Sequence, residues 1–455
     1  MKKPKPEALS LTRIDDALAV TLNGLAAEDA LVVAFSGGLD STVLLHAAWR
    51  WSQTHRRRLR AMHINHQLQP AAADFQQQAE QICRALPIDC QSIKVKVIDE
   101  GEGIEAAARK ARYHALAEHT QPDECIVLAH HADDQIETFL LQLFRGAGLK
   151  GLSAMPTEQI KLQRLFLRPL LTLSRAELEQ YATEHQLRWI DDPTNADLRF
   201  RRNWLRQQLL PMLRQHYPGI DQALARVVEH CQQAQSLIDE LAESDLAAVQ
   251  RTEKTLSISR LLSLSAARQS ALLRYWLSEQ QQRVPNQQRL QDFLAQLSNA
   301  TDRTECCYDG ICLRVAGDAL LQVPENWFRP IAEQHWQTDT PLFLESIQST
   351  LQWRGMNNPE QPLRVSSLPS MSTKLSLAGE SHRRTLKYLM QQLAVPVWLR
   401  AAWPCVWHGE QLLTLPGLLV TAEGERFLAE HQGEIILTGP IADCWQALQT
   451  PDALS

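Results

Sequence analysis

Short apolar runs alternate with longer segments of helical periodicity between about Leu31 and Leu170. The runs predict buried strands with the sequences LVVAF (31–35), RAMHIN (60–65), SIKVKV (92–97) and ECIVLAH (124–130). Apolar residues at helical spacing between these runs predict helices over 41–51, 71–86, 103–119 and 134–144. Strands that alternate with helices of this length indicate right-handed crossovers and a parallel sheet covered on both faces.

The unusual residues of this region follow predicted strands, after Phe35, after Ile64 and around His130. An open parallel sheet binds its ligands at the carboxyl ends of its strands. We therefore expect a functional site at this edge of the sheet.

The pattern changes in the second half of the chain. From about Tyr217 to Val323, Leu, Ala and Gln recur at helical spacing, and from about Glu325 short apolar runs return with Trp and Pro. We expect an α/β fold with a doubly wound, mostly parallel sheet, followed by a small helical domain and a C-terminal α+β domain. The predicted bounds are 1–215, 216–324 and 325–455.

Composition narrows the class of protein. The chain has 455 residues, of which 44% are hydrophobic and 22% charged, as in soluble globular proteins of two or three domains. It contains no apolar stretch of membrane-spanning length, and no apolar region follows its N-terminal lysines, so we expect a cytoplasmic protein without membrane association. The nine cysteines include no C-x-x-C pair, which favours reduced thiols over a zinc site or a disulfide framework. The net charge of −6 leaves room for local basic patches, which occur at 56–60, 199–206 and 382–387.

A glycine loop follows the first predicted strand. It consists of Ser36, Gly37, Gly38, Leu39, Asp40 and Ser41. A loop that leads into a helix N-terminus presents free backbone N–H groups and the positive end of the helix dipole, which suits phosphate. The loop matches neither the Walker A motif nor the dinucleotide fingerprint. A carboxylate beside phosphates requires a cation, so Asp40 suggests a Mg²⁺ ion bound together with ATP.

A second group of polar residues surrounds the end of the fourth predicted strand. His130 and His131 leave that strand, Asp133 and Asp134 begin the next helix, and Glu137 follows one turn later. Capping of the helix accounts for one aspartate. The whole group exceeds what capping needs and indicates chemistry.

Several cations lie at helical spacing. Arg112 shares a helix face with Arg109, and Arg145 opens a glycine-rich turn. Arg202, Asn203 and Arg206 are predicted to lie along one basic helical turn. Their charge exceeds that of the nearby carboxylates in the sequence, so we expect Arg112, Arg202 and Arg206 to contact ATP or a nucleic acid.

These motifs resemble those of a known family. SGGLDS resembles the pyrophosphate loop of the N-type ATP pyrophosphatases, whose fold is of the PP-loop ATPase type. The segments HINH, GIEAAARKARY, AHHADDQIET, RGAGLKGLSAM, RPLL, DDPTN and RRNWLR follow it in the order found in tRNA(Ile)-lysidine synthetases. HRRTLKYLMQQLAVPVWLR and WHGEQLLTLPGLLV resemble the C-terminal part of that family. SLAGESHRRTLK departs from it, because the usual glycine-rich run before the basic helix is missing.

The resemblance implies a reaction. ATP and Mg²⁺ activate the C2 oxygen of the wobble cytidine in a tRNA(Ile) with a CAU anticodon. Pyrophosphate is released, and free L-lysine then displaces AMP to give lysidine. The modified base pairs with A instead of G, and the tRNA changes from methionine to isoleucine identity. No protein partner is implied.

The resemblance also implies roles for residues. The expected catalytic residues are Asp40, Arg112, His130, His131 and Glu137, with a histidine or carboxylate between His130 and Glu137 as the base for lysine. ATP is expected at residues 36–41, with Mg²⁺ at Asp40. The expected tRNA-contacting residues are Asp134, Arg145, Arg202, Asn203, Arg206, Arg383, Arg384 and Lys387. The last three are predicted to share the basic face of one helix, which Leu386, Leu389 and Met390 anchor from its other side.

Three alternatives use the same loop. A tRNA sulfur transferase usually relies on paired or cluster-binding cysteines, which this sequence lacks. An amide-forming ligase of small molecules leaves the two further domains unexplained. A nucleotide-binding tRNA chaperone without chemistry is disfavoured by the crowd of ionisable residues at one sheet edge. Such a binder would retain tRNA and ATP without releasing pyrophosphate.

Overall fold

The computed structural model describes residues 6–26, 28–67, 72–99, 101, 103–191, 197–280, 282, 284–325, 330–380 and 382–449. The turn predicted at 192–195 lies outside these residues. The chain divides into two compact units, 1–237 and 238–455. The finer division into three domains stays a prediction. Within the described ranges, no helix is both long enough and apolar enough to cross a membrane.

The first unit is built on a six-stranded sheet. Its strands are β1 (Ala30–Ala34), β2 (Leu59–Asn65), β3 (Asp89–Lys94), β4 (Glu124–Val127), β5 (Glu158–Lys161) and β6 (Arg164–Leu167). Their order is β3-β2-β1-β4-β6-β5, and every pair is parallel except β5 with β6. The predicted doubly wound, mostly parallel sheet is confirmed. The chain winds from β1 toward one edge and returns at β4, so a crevice opens between the ends of β1 and β4.

Helices precede, connect or follow these strands, and the last of them continues into the second unit. They are α1 (Pro6–Leu22), α2 (Leu39–His55), α3 (Ala72–Ala85), α4 (Ile104–Glu118), α5 (Ala132–Phe144), α6 (Leu149–Leu152), α7 (Arg175–Glu184), α8 (Arg201–Trp204), α9 (Leu210–His216) and α10 (Ile220–Val249). A π-helical turn, Leu205–Leu209, joins α8 to α9. The four helices predicted in this region are all present.

Apolar cores lie on both faces of the sheet because successive strand residues point to opposite sides. On β1, Val33 packs with Leu44 and Tyr181, and Val32 packs with Met62 and other residues on the opposite face. Burying one such aliphatic side chain stabilises the fold by about 1.5–3 kcal/mol. The uninterrupted apolar sequence of β1 is therefore the mark of a central strand. β3 was predicted at 92–97 but begins at Asp89. It lies at the sheet edge and is half-exposed, so polar residues belong to the strand and the apolar pattern does not mark its start.

The second unit contains four sheets. Their strands are β7 (Gln250–Thr252), β8 (Thr255–Ser257), β9 (Glu305–Tyr308), β10 (Ile311–Ala316), β11 (Ala319–Pro324), β12 (Gln334–Trp336), β13 (Leu342–Leu344), β14 (Ser349–Gly355), β15 (Leu363–Ser366), β16 (Lys374–Leu375), β17 (Arg384–Thr385), β18 (Cys405–His408), β19 (Gln411–Leu415), β20 (Leu419–Val420) and β21 (Gly433–Thr438). The sheets have the orders β7-β8-β11-β10-β9, β12-β15-β18-β19-β20, β13-β14-β21 and β16-β17.

Seven helices accompany these sheets in the described part of the chain. They are α11 (Ile258–Ser263), α12 (Ala266–Glu279), α13 (Gln287–Leu297), α14 (Leu386–Gln392), α15 (Val397–Arg400), α16 (Ala422–Glu430) and α17 (Pro440–Gln449). The first three pack against the β7–β11 sheet, with Trp276 and Phe293 in the shared core. A mostly helical domain was predicted here, and the antiparallel sheet was not. β7 and β8 have only three residues each, and β9, β10 and β11 follow a long stretch of helical periodicity.

Two expectations for this unit were wrong. Cys307 and Cys312 form a disulfide, because the β9–β10 register places them directly opposite each other. The other seven cysteines are free, as expected. Arg383, Arg384 and Lys387 do not share a helix: α14 begins at Leu386, with the Thr385 side chain as its cap.

Arg384 lies in β17 rather than on the predicted helix. It pairs with Glu380 at 2.8 Å and lies over the Tyr388 ring. Arg383 and Lys387 are exposed. Leu386, Leu389 and Met390 are buried and anchor α14 as predicted.

Candidate functional site

A cavity of 490 Å³ opens at the carboxyl ends of β1, β2 and β4. The glycine loop, the end of β2 and the turn after β4 form its walls. The predicted site residues that line it are Ser36, Gly38, Asp40, Ser41, Arg112, His130, Asp134, Arg202, Asn203 and Arg206. The fold thus brings together groups that are far apart in the sequence.

The glycine loop is shaped by its own hydroxyl groups. Ser41 Oγ donates to the Gly38 carbonyl at 3.0 Å and lies 3.0 Å from Ser36 Oγ. Gly37 has a φ of 86°, and its carbonyl accepts from Ile190 N at 2.9 Å. The positive φ favours glycine at this position, and a Cβ there would also lie 2.5 Å from Cδ1 of Ile190, whose side chain would have to move. Leu39 turns into the core and is 5% exposed, so its side chain fixes the start of α2.

His131 lies beneath the loop, fully buried among three carboxylates. Its Nε2 is 3.7 Å from Asp40 and 3.5 Å from Asp134, and its Nδ1 is 3.6 Å from Asp133. Burial opposes the charged ring, but the carboxylates outweigh burial and raise the pKa of His131 to about 10. His131 is therefore an imidazolium cation at neutral pH. Arg175 N and Arg214 donate to Asp133 and hold the same cluster together.

Asp40 connects this cluster to the cavity. Burial opposes ionisation of its carboxyl, but His131, Arg175 and Arg206 outweigh burial and lower the pKa of Asp40. Its Oδ1 is buried and has no hydrogen-bond partner. Such an oxygen fits a hard cation held mainly by phosphates, because Mg²⁺ commonly takes only one or two protein carboxylates. Among the described residues, no group of three or more His, Cys, Asp or Glu side chains is arranged to hold a metal on its own.

His130 lines the cavity, whereas its neighbour His131 does not. Burial and then the nearby Arg112, Arg168, Arg109 and Arg202 keep the pKa of His130 well below its usual range. The ring is neutral at pH 7, and its Nδ1 is buried without a partner. His130 thus offers the cavity an imidazole with a free nitrogen.

Glu137 forms the floor of a buried ion cluster. The carboxyl is fully buried and accepts from Arg202 Nε at 2.8 Å and Arg206 Nε at 2.7 Å. Asp134 lies 3.5 Å from a terminal nitrogen of each arginine. The prediction that the positive charge here exceeds the charge of the nearby carboxylates was therefore wrong for Arg202 and Arg206, because Glu137 and Asp134 balance them. Glu137 itself does not line the cavity. It binds Arg202 and Arg206 and so holds these two arginines in the cavity wall.

Arg145 and Asn203 are the two remaining predicted residues. Arg145 is exposed at the end of α5, outside the cavity lining. Asn203 donates to the Asp197 carbonyl at 3.0 Å while lining the cavity. Their roles stay predictions.

The sequence analysis assigned no role to some residues that line the cavity. Asn65 and His66 at the end of β2 line it, as does Phe75 of α3. Burial and then Arg112 and His63 lower the pKa of His66 to about 4. The position of the HINH motif after a strand was the available signal for Asn65 and His66, whereas nothing distinguished Phe75 from an ordinary helix residue.

The chain matches three family profiles. The PP-loop domain covers residues 11–213, the TilS substrate binding domain covers 256–320 and the TilS substrate C-terminal domain covers 367–436. A tRNA(Ile)-lysidine synthase from Pectobacterium atrosepticum is 37% identical over 92% of this chain and 96% of that protein. One from Shigella flexneri is 37% identical over 90% and 96%. Among solved structures, a U34-tRNA thiolase from Methanococcus maripaludis aligns with a TM-score of 0.42 and 16% identity, over 49% of this chain and 79% of that one.

Proposed function

The chain belongs to the tRNA(Ile)-lysidine synthase family, as its motifs indicated, and from that premise we propose the course of its reaction. The C2 oxygen of the wobble cytidine in a tRNA(Ile) with a CAU anticodon attacks the α-phosphorus of ATP, and pyrophosphate leaves. The ε-amine of free L-lysine then attacks C2, and AMP leaves. The enzyme is an ATP-dependent C–N ligase whose product, lysidine, pairs with A instead of G and converts a methionine tRNA identity to isoleucine.

The observation that carries this proposal is that the glycine loop and the histidine turn after β4 share one cavity. Adenylation requires that the phosphates of ATP and the cytosine that is adenylated be held next to each other. The glycine loop would hold the phosphates, and the histidine turn would lie beside the cytosine. Residues 36–41 hold the triphosphate through backbone N–H groups at the start of α2. Positioning and charge stabilisation account for most of the catalysis in such phosphoryl chemistry.

Asp40 would hold Mg²⁺ through its free Oδ1, together with phosphate oxygens of ATP. The ion would offset the charge that develops on the departing pyrophosphate. His131 keeps Asp40 ionised and fixed in orientation, so we assign it a positioning role beneath the loop. Arg112 contributes positive charge at the cavity wall.

We assign the proton acceptor for lysine to His130. His131 is already protonated, and the oxygens of Asp134 are engaged by Arg202, Arg206 and the His131 backbone N–H. His130 lines the cavity, and its Nδ1 has no hydrogen-bond partner. Bound phosphates would offset the arginines that lower the pKa of His130, and would move it toward the working pH of a base.

The second unit supports tRNA binding, because both of its family matches are to TilS substrate domains. We assign tRNA contacts to Arg383, Arg384 and Lys387 there, and to Arg145, Arg202, Asn203 and Arg206 in the first unit. A cytoplasmic location follows from the substrates, since tRNA, ATP and lysine are all available in that compartment.

The proposal is tested by incubation with labelled L-lysine, ATP–Mg²⁺ and unmodified tRNA(Ile) carrying CAU. Nucleoside analysis should find one labelled lysidine per tRNA, with one pyrophosphate released per turnover. The control is the same tRNA with adenosine at the wobble position, which should incorporate nothing. Retention of tRNA and ATP without pyrophosphate release would overturn the assignment in favour of a binding protein.

A further inference from the structure

Cations surround the buried ring of Tyr113 at the outer side of the cavity wall. The guanidinium carbons of Arg109 and Arg112 lie 5.3 and 5.9 Å from the ring centroid, and Lys161 Nζ lies 4.4 Å from it. α4 supplies both arginines, and the end of β5 supplies the lysine. The fold therefore brings three cations to one aromatic ring from two separate elements.

No carboxylate of the described residues lies within ion-pair distance of these three side chains. Some other basic residues in this unit are paired with carboxylates. In the patch at 56–60, Arg58 pairs with Asp123 at 2.6 Å and Arg60 with Glu124 at 2.7 Å. The cations around Tyr113 are not paired in this way, although the chain has a net charge of −6.

Burial makes this concentration of charge costly. Arg112 Nε is buried without a hydrogen-bond partner, and the buried Arg168 behind it has an unpartnered Nε as well. Burial lowers the pKa of Arg112, and the neighbouring Arg109 and Arg202 act in the same direction. Clustered cations without counter-charges are unfavourable unless an anion completes the arrangement.

The position of the cluster indicates which anion. Arg112 lines the cavity, whereas Arg109 and Lys161 do not. A triphosphate on the glycine loop would lie near Arg112 but not near Arg109 or Lys161. The single carboxylate of lysine is too small to contact all three cations. A polynucleotide that places one base in the cavity necessarily continues outside it, with a phosphate at each nucleotide.

We propose that Arg109, Arg112 and Lys161 form a phosphate track that holds the tRNA backbone next to the nucleotide inserted into the cavity. Phosphate contacts of this kind position a nucleic acid without reading its sequence. The track would fix the wobble cytidine relative to ATP while the recognition of sequence lies elsewhere. This inference rests on the proposed function, because it requires a tRNA substrate.

The test is the double variant Arg109→Gln/Lys161→Gln, with Lys110→Gln on the same helix as the matched control. We expect the double variant to bind tRNA more weakly. The slope of log tRNA affinity against log salt concentration should be smaller by about 0.7–0.9 for each lost phosphate contact. ATP affinity and the KM for lysine should stay at the wild-type values. The single variant Lys161→Gln changes one exposed side chain and should lower the slope by one such step, even if the double variant folds poorly.

Each other outcome contradicts the track. A raised KM for lysine with an unchanged tRNA slope would assign the cluster to the lysine carboxylate, and a weakened ATP affinity would assign it to the nucleotide. If tRNA affinity, its salt slope, ATP affinity and the KM for lysine were all unchanged, the cluster of Arg109, Arg112 and Lys161 would have a structural role only. Failure of the wild-type protein to bind tRNA would instead refute the proposed function, which separates the two conclusions.

Discussion

The neighbouring histidines at the end of β4 have opposite protonation states at neutral pH. His130 faces the cavity and is neutral, while His131 is enclosed by carboxylates and charged. A site at this strand end was predicted from the sequence, because two histidines and two aspartates there exceed what helix capping needs, and the role of the two histidines stays a prediction. Which of the two histidines faces the cavity could not be predicted, because adjacent side chains point in different directions and the sequence does not say which one points toward the cavity.

Stability should depend on pH through His131. Its pKa is about 10 in the folded protein and near 6.5 in the unfolded chain, so the native state binds the proton more tightly. The stabilisation is fully present below pH 6.5 and is lost as the pH rises toward 10. The difference in unfolding free energy between wild type and His131→Gln should therefore be largest near pH 6 and shrink toward pH 10 in urea titrations. A difference that is constant over that range would show that His131 is not an imidazolium.

Asp40→Asn should keep the fold and lose most activity. The amide cannot provide the anionic oxygen that a magnesium–phosphate complex needs, and it leaves His131 with one counter-charge fewer. Pyrophosphate release and lysine incorporation should both fall by at least about a hundredfold, the usual scale for losing a charge-stabilising group. Asp15→Asn, a half-exposed change on α1, is the control. Full turnover by folded Asp40→Asn protein would exclude the proposed role.

At the scale of elements, one irregular element lies next to the site. The π-helical turn between α8 and α9 includes Arg206 and adjoins Arg202, so both reach the buried Glu137. π-helical turns are rare and often occur at functional sites. The first four strands and the four helices that follow them could be predicted, because apolar runs there alternate with long segments of helical periodicity. The four-residue strands β5 and β6 were not predicted. The π-turn and the three-residue strands β7 and β8 could not be predicted either, since they carry no periodic signal.

Glu137→Gln should loosen this arrangement. The glutamine keeps the shape but leaves two arginines facing Asp134 alone, and breaking a buried pair typically costs about 3–5 kcal/mol. We expect a lower Tm together with a reduced kcat, while the affinity for ATP changes less. Glu179→Gln on the exposed face of α7 serves as the control. An unchanged kcat in a stably folded Glu137→Gln protein would limit Glu137 to a role in folding.

At the scale of the whole molecule, the chain has a net charge of −6, and we expect it to bind tRNA through local clusters of positive charge. The basic segment near 383 was predicted from the sequence, but its geometry was not, because Thr385 caps a helix that begins only at Leu386. Arg384 is already paired with Glu380. Within the segment 383–387, we therefore expect Arg383 and Lys387 to contribute most of the contact with tRNA.

Neutralising Arg383, Arg384 and Lys387 together should weaken tRNA binding and leave ATP affinity unchanged. The slope of log affinity against log salt should fall by about 0.7–0.9 for each of the two unpaired cations, with little added by Arg384. Arg426→Gln, which removes an exposed arginine of the same unit, is the matched control. Equal affinities and slopes for the triple variant and wild type would exclude a tRNA contact at this segment.

The carboxylate cage around His131 has a consequence for the evolution of this site. A neutral residue at position 131 would leave Asp40, Asp133 and Asp134 without their shared cation, so that change is costly by itself. The same change becomes tolerable once one aspartate has been replaced by asparagine. Accepted substitutions at these four positions should therefore arise in pairs, and the order of mutation should decide which evolutionary paths remain open.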